Sequence, residues 1–167
     1  MEQQLKHHEN KFEQQKKPII ILAHHVQSPA NVGGLFRLAD AFAVKELILP
    51  ESINLNSTRL KRNARATIAN VKHHCIKDSI AYLENLQQNN YQIICLEITK
   101  NSIPLEALRL VPTQPIVLVI GDERLGIPEN ILNRFCTHVH IPMYGKNSSM
   151  NVTQATAIAL YEICKQI

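Results

Sequence analysis

An α/β fold built on one mostly parallel sheet flanked by helices is the architecture this sequence predicts, and three observations predict it. Short continuous apolar runs, such as Ile19-Ile20-Ile21-Leu22-Ala23 and Ile116-Val117-Leu118-Val119-Ile120, have the character of strands buried on both faces. Amphipathic or small-residue segments alternate with them, in the strand, helix, strand order of crossover units. Three strands run directly into polar turns, which puts functional groups beyond strand carboxyl ends, where open α/β sheets bind ligands.

The elements follow in order. Residues 1–17 are rich in Gln, Lys, His and Glu and are expected to form a frayed or disordered arm, with a single domain over 18–167. The first strand is predicted at 19–24. The helix at 30–42 is capped by Ser28, has Pro29 in its first turn, and carries the apolar stripe Val32, Leu35, Phe36, Ala39 and Phe42. Strands at 46–49, 71–75 and 91–97 alternate with helices at 59–66 and 78–89. Residues 101–114, with Pro104 and Pro112, read as a connecting loop with a short helical turn. A strand at 116–120, a helix at 128–134 opened by Pro128, and a strand at 138–141 follow. The last helix, 151–165, starts behind Ser149 or Asn151 as N-cap, and Ala155, Ala157 and Ala159 let it pack closely on the sheet or on another subunit.

Composition bounds the function classes. The 167 residues suit one domain, and 45% hydrophobic content suffices for a core. A net charge of +4 permits a polyanionic partner without requiring one. No apolar run approaches the roughly 20 residues of a membrane span, and the polar N-terminus is neither a signal nor a transit peptide, so a cytoplasmic protein is expected. Cys75, Cys95, Cys136 and Cys164 form no CxxC pair and read as reduced thiols. The pairs His24-His25 and His73-His74 have no carboxylate or Cys at ligand spacing, so no metal is expected. His138 and His140 point the same way from a short strand, within reach of a dimer surface.

Three segments carry the chemistry. In the first, Asn31, Gly33, Gly34 and Arg37 lie on the early turns of a helix. Each glycine costs about 1 kcal/mol relative to Ala there, which makes sense if a ligand or another backbone approaches closely. A solvent-facing Arg37 paired with Asp40 is the competing reading. In the second, Gly121 turns the chain sharply after a strand, and Glu123, Arg124 and Gly126 complete a GxExxG loop. Neither GxGxxG nor GxxxxGK[ST] occurs, so dinucleotide and nucleoside-triphosphate fingerprints are unmet. In the third, Ser149, Met150 and Asn151 join a polar turn to the last helix, whose first amides are unpaired donors.

These segments, in this order, resemble the signature of the SpoU (TrmH-like) branch of the SPOUT RNA methyltransferases. The first family motif is an Asn followed six residues on by Arg, as Asn31 and Arg37; the second is met by Gly121, Glu123 and Gly126. The third is met by Ile141-Pro142-Met143 and Ser149-Met150-Asn151-Val152. The resemblance covers roughly residues 18–167. It implies a C-terminal deep trefoil knot, a homodimer whose active site is completed across the interface, and S-adenosylmethionine as cofactor. It implies cofactor contacts at Leu96, Gly121, Ile141, Ser149 and Met150, largely through backbone, and a catalytic group of Arg37, Asn31, Ser149, Asn151 and Glu123.

The implied reaction moves a methyl group to an RNA ribose 2′-hydroxyl. The family's arginine is proposed to act as base; a guanidinium is effectively always protonated, so electrostatic stabilisation with orientation is the other account of Arg37. The basic residues Arg59, Lys61, Arg62 and Arg65 are the expected RNA footprint, with a solvated helix face as the competing reading. With no Trp and 5% aromatics, recognition by shape and phosphate contacts fits better than base stacking. A tRNA guanosine of the D loop is the leading substrate, with a wobble-nucleotide tRNA or an rRNA as alternatives. A non-catalytic RNA-binding protein on the same fold is the alternative of another class; intact Asn31, Arg37, Glu123, Ser149 and Asn151 weigh against it.

Overall fold

The computed structural model describes residues 15–135 and 137–167. The predicted arm falls almost wholly outside them, as does Cys136. Its last residue, Lys17, already belongs to the first strand and donates from Nζ to the carbonyl of Ile167 at 3.2 Å.

Among the described residues, seven parallel strands form one sheet in the order β3-β2-β1-β6-β4-β7-β5. They are β1 (Lys17–Ala23), β2 (Val44–Pro50), β3 (His73–Ile76), β4 (Gln92–Leu96), β5 (Ile103–Pro104), β6 (Ile116–Ile120) and β7 (Thr137–His140). The helices are α1 (Pro29–Ala41), α2 (Thr58–Ala64), α3 (Thr67–Asn70), α4 (Ser79–Gln88), α5 (Glu129–Leu132) and α6 (Val152–Cys164).

Strand alternation divides the core into two layers. Ile19, Ile21 and Ala23 of β1 pack with Leu35, Phe36, Leu60, Leu160 and Ile163 from α1, α2 and α6. Ile20 and Leu22 pack with Leu83, Leu86 and Ile131 from α4 and α5 on the other face. Both faces of β1 and β6 are therefore buried, which is why these strands read as unbroken apolar runs. Each fully buried Leu, Ile or Phe contributes about 1.5–3 kcal/mol. Glu46, 6% exposed on β2, is held by Nδ1 of His74 at 2.9 Å and Nζ of Lys72 at 3.3 Å.

Two details depart from expectation. The helix predicted at 59–66 ends at Ala64, because Arg65 adopts a positive φ of 55°, and a further short helix, α3, follows it at Thr67–Asn70. The loop over 101–114 contains the edge strand β5 as well as its expected helical turn, Leu105–Ala107. β4 and β5 are consecutive in sequence, yet β7 lies between them and pairs with both.

Candidate active site

The sheet registers bring strand carboxyl ends to one level: Ala23 pairs with Ile120, Ile120 with Leu96, and Leu96 with Val139. Beyond them a cavity of ≈ 430 Å³ opens, within the usual range for small-molecule sites. Leu96, Glu97 and Ile98 line it after β4, the loop from Gly121 to Ile127 after β6, and Ile141, Met143, Ser149 and Met150 after β7. Val152 and Ala155 of α6 complete the wall.

The loop after β6 is closed on itself. The Gly126 amide donates to the carbonyl of Asp122 at 2.9 Å, and Oδ1 of Asp122 accepts from the amides of Arg124 and Leu125 at 2.9 and 3.3 Å. Gly126 has φ +64°, and a Cβ on Gly121 would come within 2.6 Å of the Ile127 nitrogen, so both positions require glycine. Glu97 reaches this loop: Oε2 accepts from the Ile127 amide at 2.9 Å and Oε1 from the Ile98 amide at 3.0 Å.

The first and third sequence segments meet through their asparagines. Asn151 is the N-cap of α6, its Oδ1 accepting from the Thr153 amide at 2.9 Å, and its Nδ2 donates to Oδ1 of Asn31 at 3.0 Å. Its chain neighbours Met150 and Val152 line the cavity, so the pair stands beside it. The glycines of α1 serve helix packing: a Cβ on Gly33 would press on Asn63, Leu60 and Ala64 of α2, and one on Gly34 on Thr153 of α6. Of the two explanations offered by the sequence, close approach of another chain segment is the one observed.

Among the predicted site residues, Leu96, Gly121, Glu123, Ile141, Ser149 and Met150 share the cavity, and Asn31 and Asn151 flank it. Arg37 does not line it. It is exposed on α1, six residues and so about 9 Å along the helix axis beyond Asn31. The ion pairs among the described residues are Lys72–Glu46, His74–Glu46, Arg134–Glu84 and Lys165–Glu162, so Arg37 is not bound to Asp40. Arg59, Lys61, Arg62 and Arg65 are all exposed, while Leu60 and Ala64 turn α2 onto the core beside α1.

The histidines are engaged locally. His138 lies within 2.9 Å of the carbonyls of Leu132 and Phe135 through Nε2, and Nδ1 of His140 is 2.9 Å from Oγ of Ser102. Both histidines are thus held by bonds to neighbouring loops of their own chain. Nδ1 of His24 is 3.0 Å from Oγ of Ser79; burial, and then neighbouring His25, push its pKa down to about 4. Burial, with a smaller effect of Glu97, pushes the Cys95 thiol up to about 12. Among the described residues no three His, Cys, Asp or Glu side chains gather as metal ligands.

Glu97 and Asp122 escaped sequence reasoning. The position of Glu97 immediately after a strand that leads to the site was the available signal.

Residues 18–161 match the SpoU rRNA Methylase family, and the chain belongs to it. The tRNA (guanosine(18)-2'-O)-methyltransferase of Aquifex aeolicus is 28% identical over 169 residues, covering 99% of this chain and 78% of the relative. The crystal structure of the A. aeolicus TrmH/SpoU tRNA modifying enzyme gives a TM-score of 0.82 at 27% identity, over 92% of this chain and 77% of that one. A structure concerned with 2-OH methylation of C/U34 on tRNA gives 0.77 at 29% identity, over 89% of this chain and 95% of that one. This chain spans 39% and 63% of the length of two further curated relatives.

Proposed function

We propose that this chain is an S-adenosylmethionine-dependent RNA methyltransferase acting on the ribose 2′-hydroxyl of a tRNA guanosine, in the D loop. The observation that carries the reading is the shared cavity: loops separated widely in sequence converge on one pocket, with Asn31 and Asn151 bonded at its edge. The lining fits the cofactor. Apolar Leu96, Ile98, Ile141 and Met143 suit an adenine, and the carboxylate of Glu123 suits a ligand bearing a sulfonium and an ammonium. When bound, the cofactor supplies an electrophilic methyl group.

The protein's task is then orientation and charge. Asn31, Ser149 and Asn151 orient the ribose, Glu123 sits at the pocket mouth, and backbone at Leu96, Gly121, Ile141, Ser149 and Met150 holds the cofactor. Arg37⁺ stabilises the developing alkoxide rather than removing its proton, since a guanidinium stays protonated. In this reading the enzyme is a homodimer and Arg37 serves the pocket of the partner copy. Two features support that: Arg37 stands away from its own cavity, and the outer face of α6 exposes Ile158 by 42% and Tyr161 by 63%. Arg59, Lys61, Arg62 and Arg65, exposed on α2 and at its C-cap, supply a phosphate-binding strip.

The catalytic unit spans 18–167 behind the polar arm 1–17, its C-terminal part threaded as a trefoil knot; the insertion of β7 between β4 and β5 supports that threading. A cytoplasmic location follows from a tRNA substrate. The second reading is a ribose at tRNA position 34, favoured by the 95% coverage of the structure concerned with that modification. Mapping ribose methylation on total RNA incubated with protein and S-adenosylmethionine tests both readings. A new 2′-O-methylguanosine in the D loop supports the first, one at position 34 the second, and no methylated ribose refutes the activity.

A further inference from the structure

We infer that Glu97 is a positioning residue that fixes the wall of the cofactor pocket, so that cofactor affinity, more than the rate of methyl transfer, depends on its carboxylate. The inference rests on the methyltransferase reading above. The β4–β6 ladder ends at the pair Leu96 and Ile120, just where the pocket begins. Past that point the two chain segments diverge, and the Glu97 carboxylate bridges them: Oε1 accepts from Ile98 on its own segment and Oε2 from Ile127 on the other.

Each end of the bridge is anchored. Ile127 is 4% exposed and packs in the core layer of α4 and α5, so its amide, if abandoned, has little access to water. Leaving such a donor unpaired costs more than a typical hydrogen bond is worth, and an ionised acceptor strengthens the contact. Gly126, in its left-handed conformation, lies directly against the carboxylate, so any Cβ there would strike Glu97. Asp122 already staples the loop to itself through three bonds. The loop therefore behaves as a stiff tongue, and Glu97 sets where that tongue stands. Loss of the carboxylate lets the tongue shift as a body and misplaces the Gly121 to Ile127 wall of the pocket.

The test uses the full chain with Glu97→Ala, Glu97→Gln and Gly126→Ala. Titration calorimetry with S-adenosylmethionine and S-adenosylhomocysteine, amide hydrogen exchange at Ile127, and steady-state methylation of tRNA are measured alongside melting. Glu97→Ala is expected to raise Kd for both ligands, and KM for the cofactor, by roughly tenfold or more. At saturating cofactor kcat falls far less than KM rises, and Ile127 exchange accelerates. Equal effects on the two ligands mark positioning, because only one of them carries the sulfonium charge. Glu97→Gln keeps one acceptor oxygen and recovers part of the affinity, and remains the comparison should the alanine variant melt too low. Gly126→Ala acts in the same direction and is less than additive with Glu97→Ala, since the clash with the carboxylate disappears in the double variant while the strain of the positive φ stays. Unchanged cofactor affinity in a folded Glu97→Ala, or a loss confined to kcat, overturns the inference. If the unaltered protein binds no cofactor, the enzymatic reading fails instead, and unchanged Ile127 exchange in Glu97→Ala would separately refute the bridge.

Discussion

Replacing Gly33 with alanine separates helix propensity from packing. In an isolated helix the change stabilises by about 1 kcal/mol. Here the new methyl would sit 2.6 Å from Cβ of Asn63, 2.9 Å from the Leu60 carbonyl oxygen and 3.0 Å from the Ala64 nitrogen. Two of these are backbone atoms of α2, which cannot rotate aside, so the whole of α2 must move outward. Overpacking costs about 1–3 kcal/mol; with two backbone atoms at 2.9 and 3.0 Å the cost falls in the upper part of that range, about 2–3 kcal/mol, so after subtracting the propensity gain the net loss is about 1–2 kcal/mol. For a domain of this size each kcal/mol shifts Tm by about 2–4 °C, so calorimetry should record a fall of roughly 2–8 °C. Gly34→Ala meets chiefly the methyl of Thr153 and should cost less. A Tm for Gly33→Ala equal to or above that of the unaltered protein would refute the packing argument.

Asn151→Ala removes the α6 N-cap and the link to Asn31 together; it should lower stability by about 1 kcal/mol and methyl transfer by a larger factor, read by melting and by kinetics on the same preparation. His24 is held neutral in the folded state, with its pKa near 4 against 6.5 for the free side chain. The unfolded chain therefore binds more protons between those values, and stability falls as pH drops through that window. Replacing His24 with Asn should flatten the decline of Tm from pH 6.5 to 4, and an unchanged slope would count against it. Neutralising Arg59, Lys61, Arg62 and Arg65 to Gln should weaken tRNA binding and reduce its salt dependence without changing cofactor affinity, as measured by titrations across a salt series.

Much of the fold was legible because both faces of the central strands are buried, so β1 and β6 announce themselves as unbroken apolar runs whose neighbours are easily placed. β5 was not legible, since two residues ending in proline carry no periodic signal and pair only because β7 offers an edge. The end of α2 at Ala64, ahead of a separate α3, was hidden for a different reason: Arg65 adopts a conformation its residue type does not advertise. In the site, Gly121, Gly126 and Asn151 were readable as turn and cap residues. The Asn31 to Asn151 bond spans 120 positions and depends on how α1 meets α6, which local pattern cannot convey. Glu97 was missed because a lone acid after a strand looks like any solvated residue until the later loop folds onto it. For the strand histidines, alternation gave a common direction but not their partners in neighbouring loops.

The central claim is that each pocket faces an arginine delivered by a second copy, and complementation tests it most directly. Arg37→Ala alone should bind S-adenosylmethionine normally while methyl transfer falls by roughly a hundredfold or more. Gly121→Val, whose side chain would overlap the Gly126 backbone, should abolish cofactor binding while keeping Arg37. Co-refolding the two inactive variants should restore methylation, because the mixed dimer contains one intact pocket facing one intact arginine. Full activity of Arg37→Ala alone, or no recovery in a mixture shown to contain heterodimers, would contradict the account.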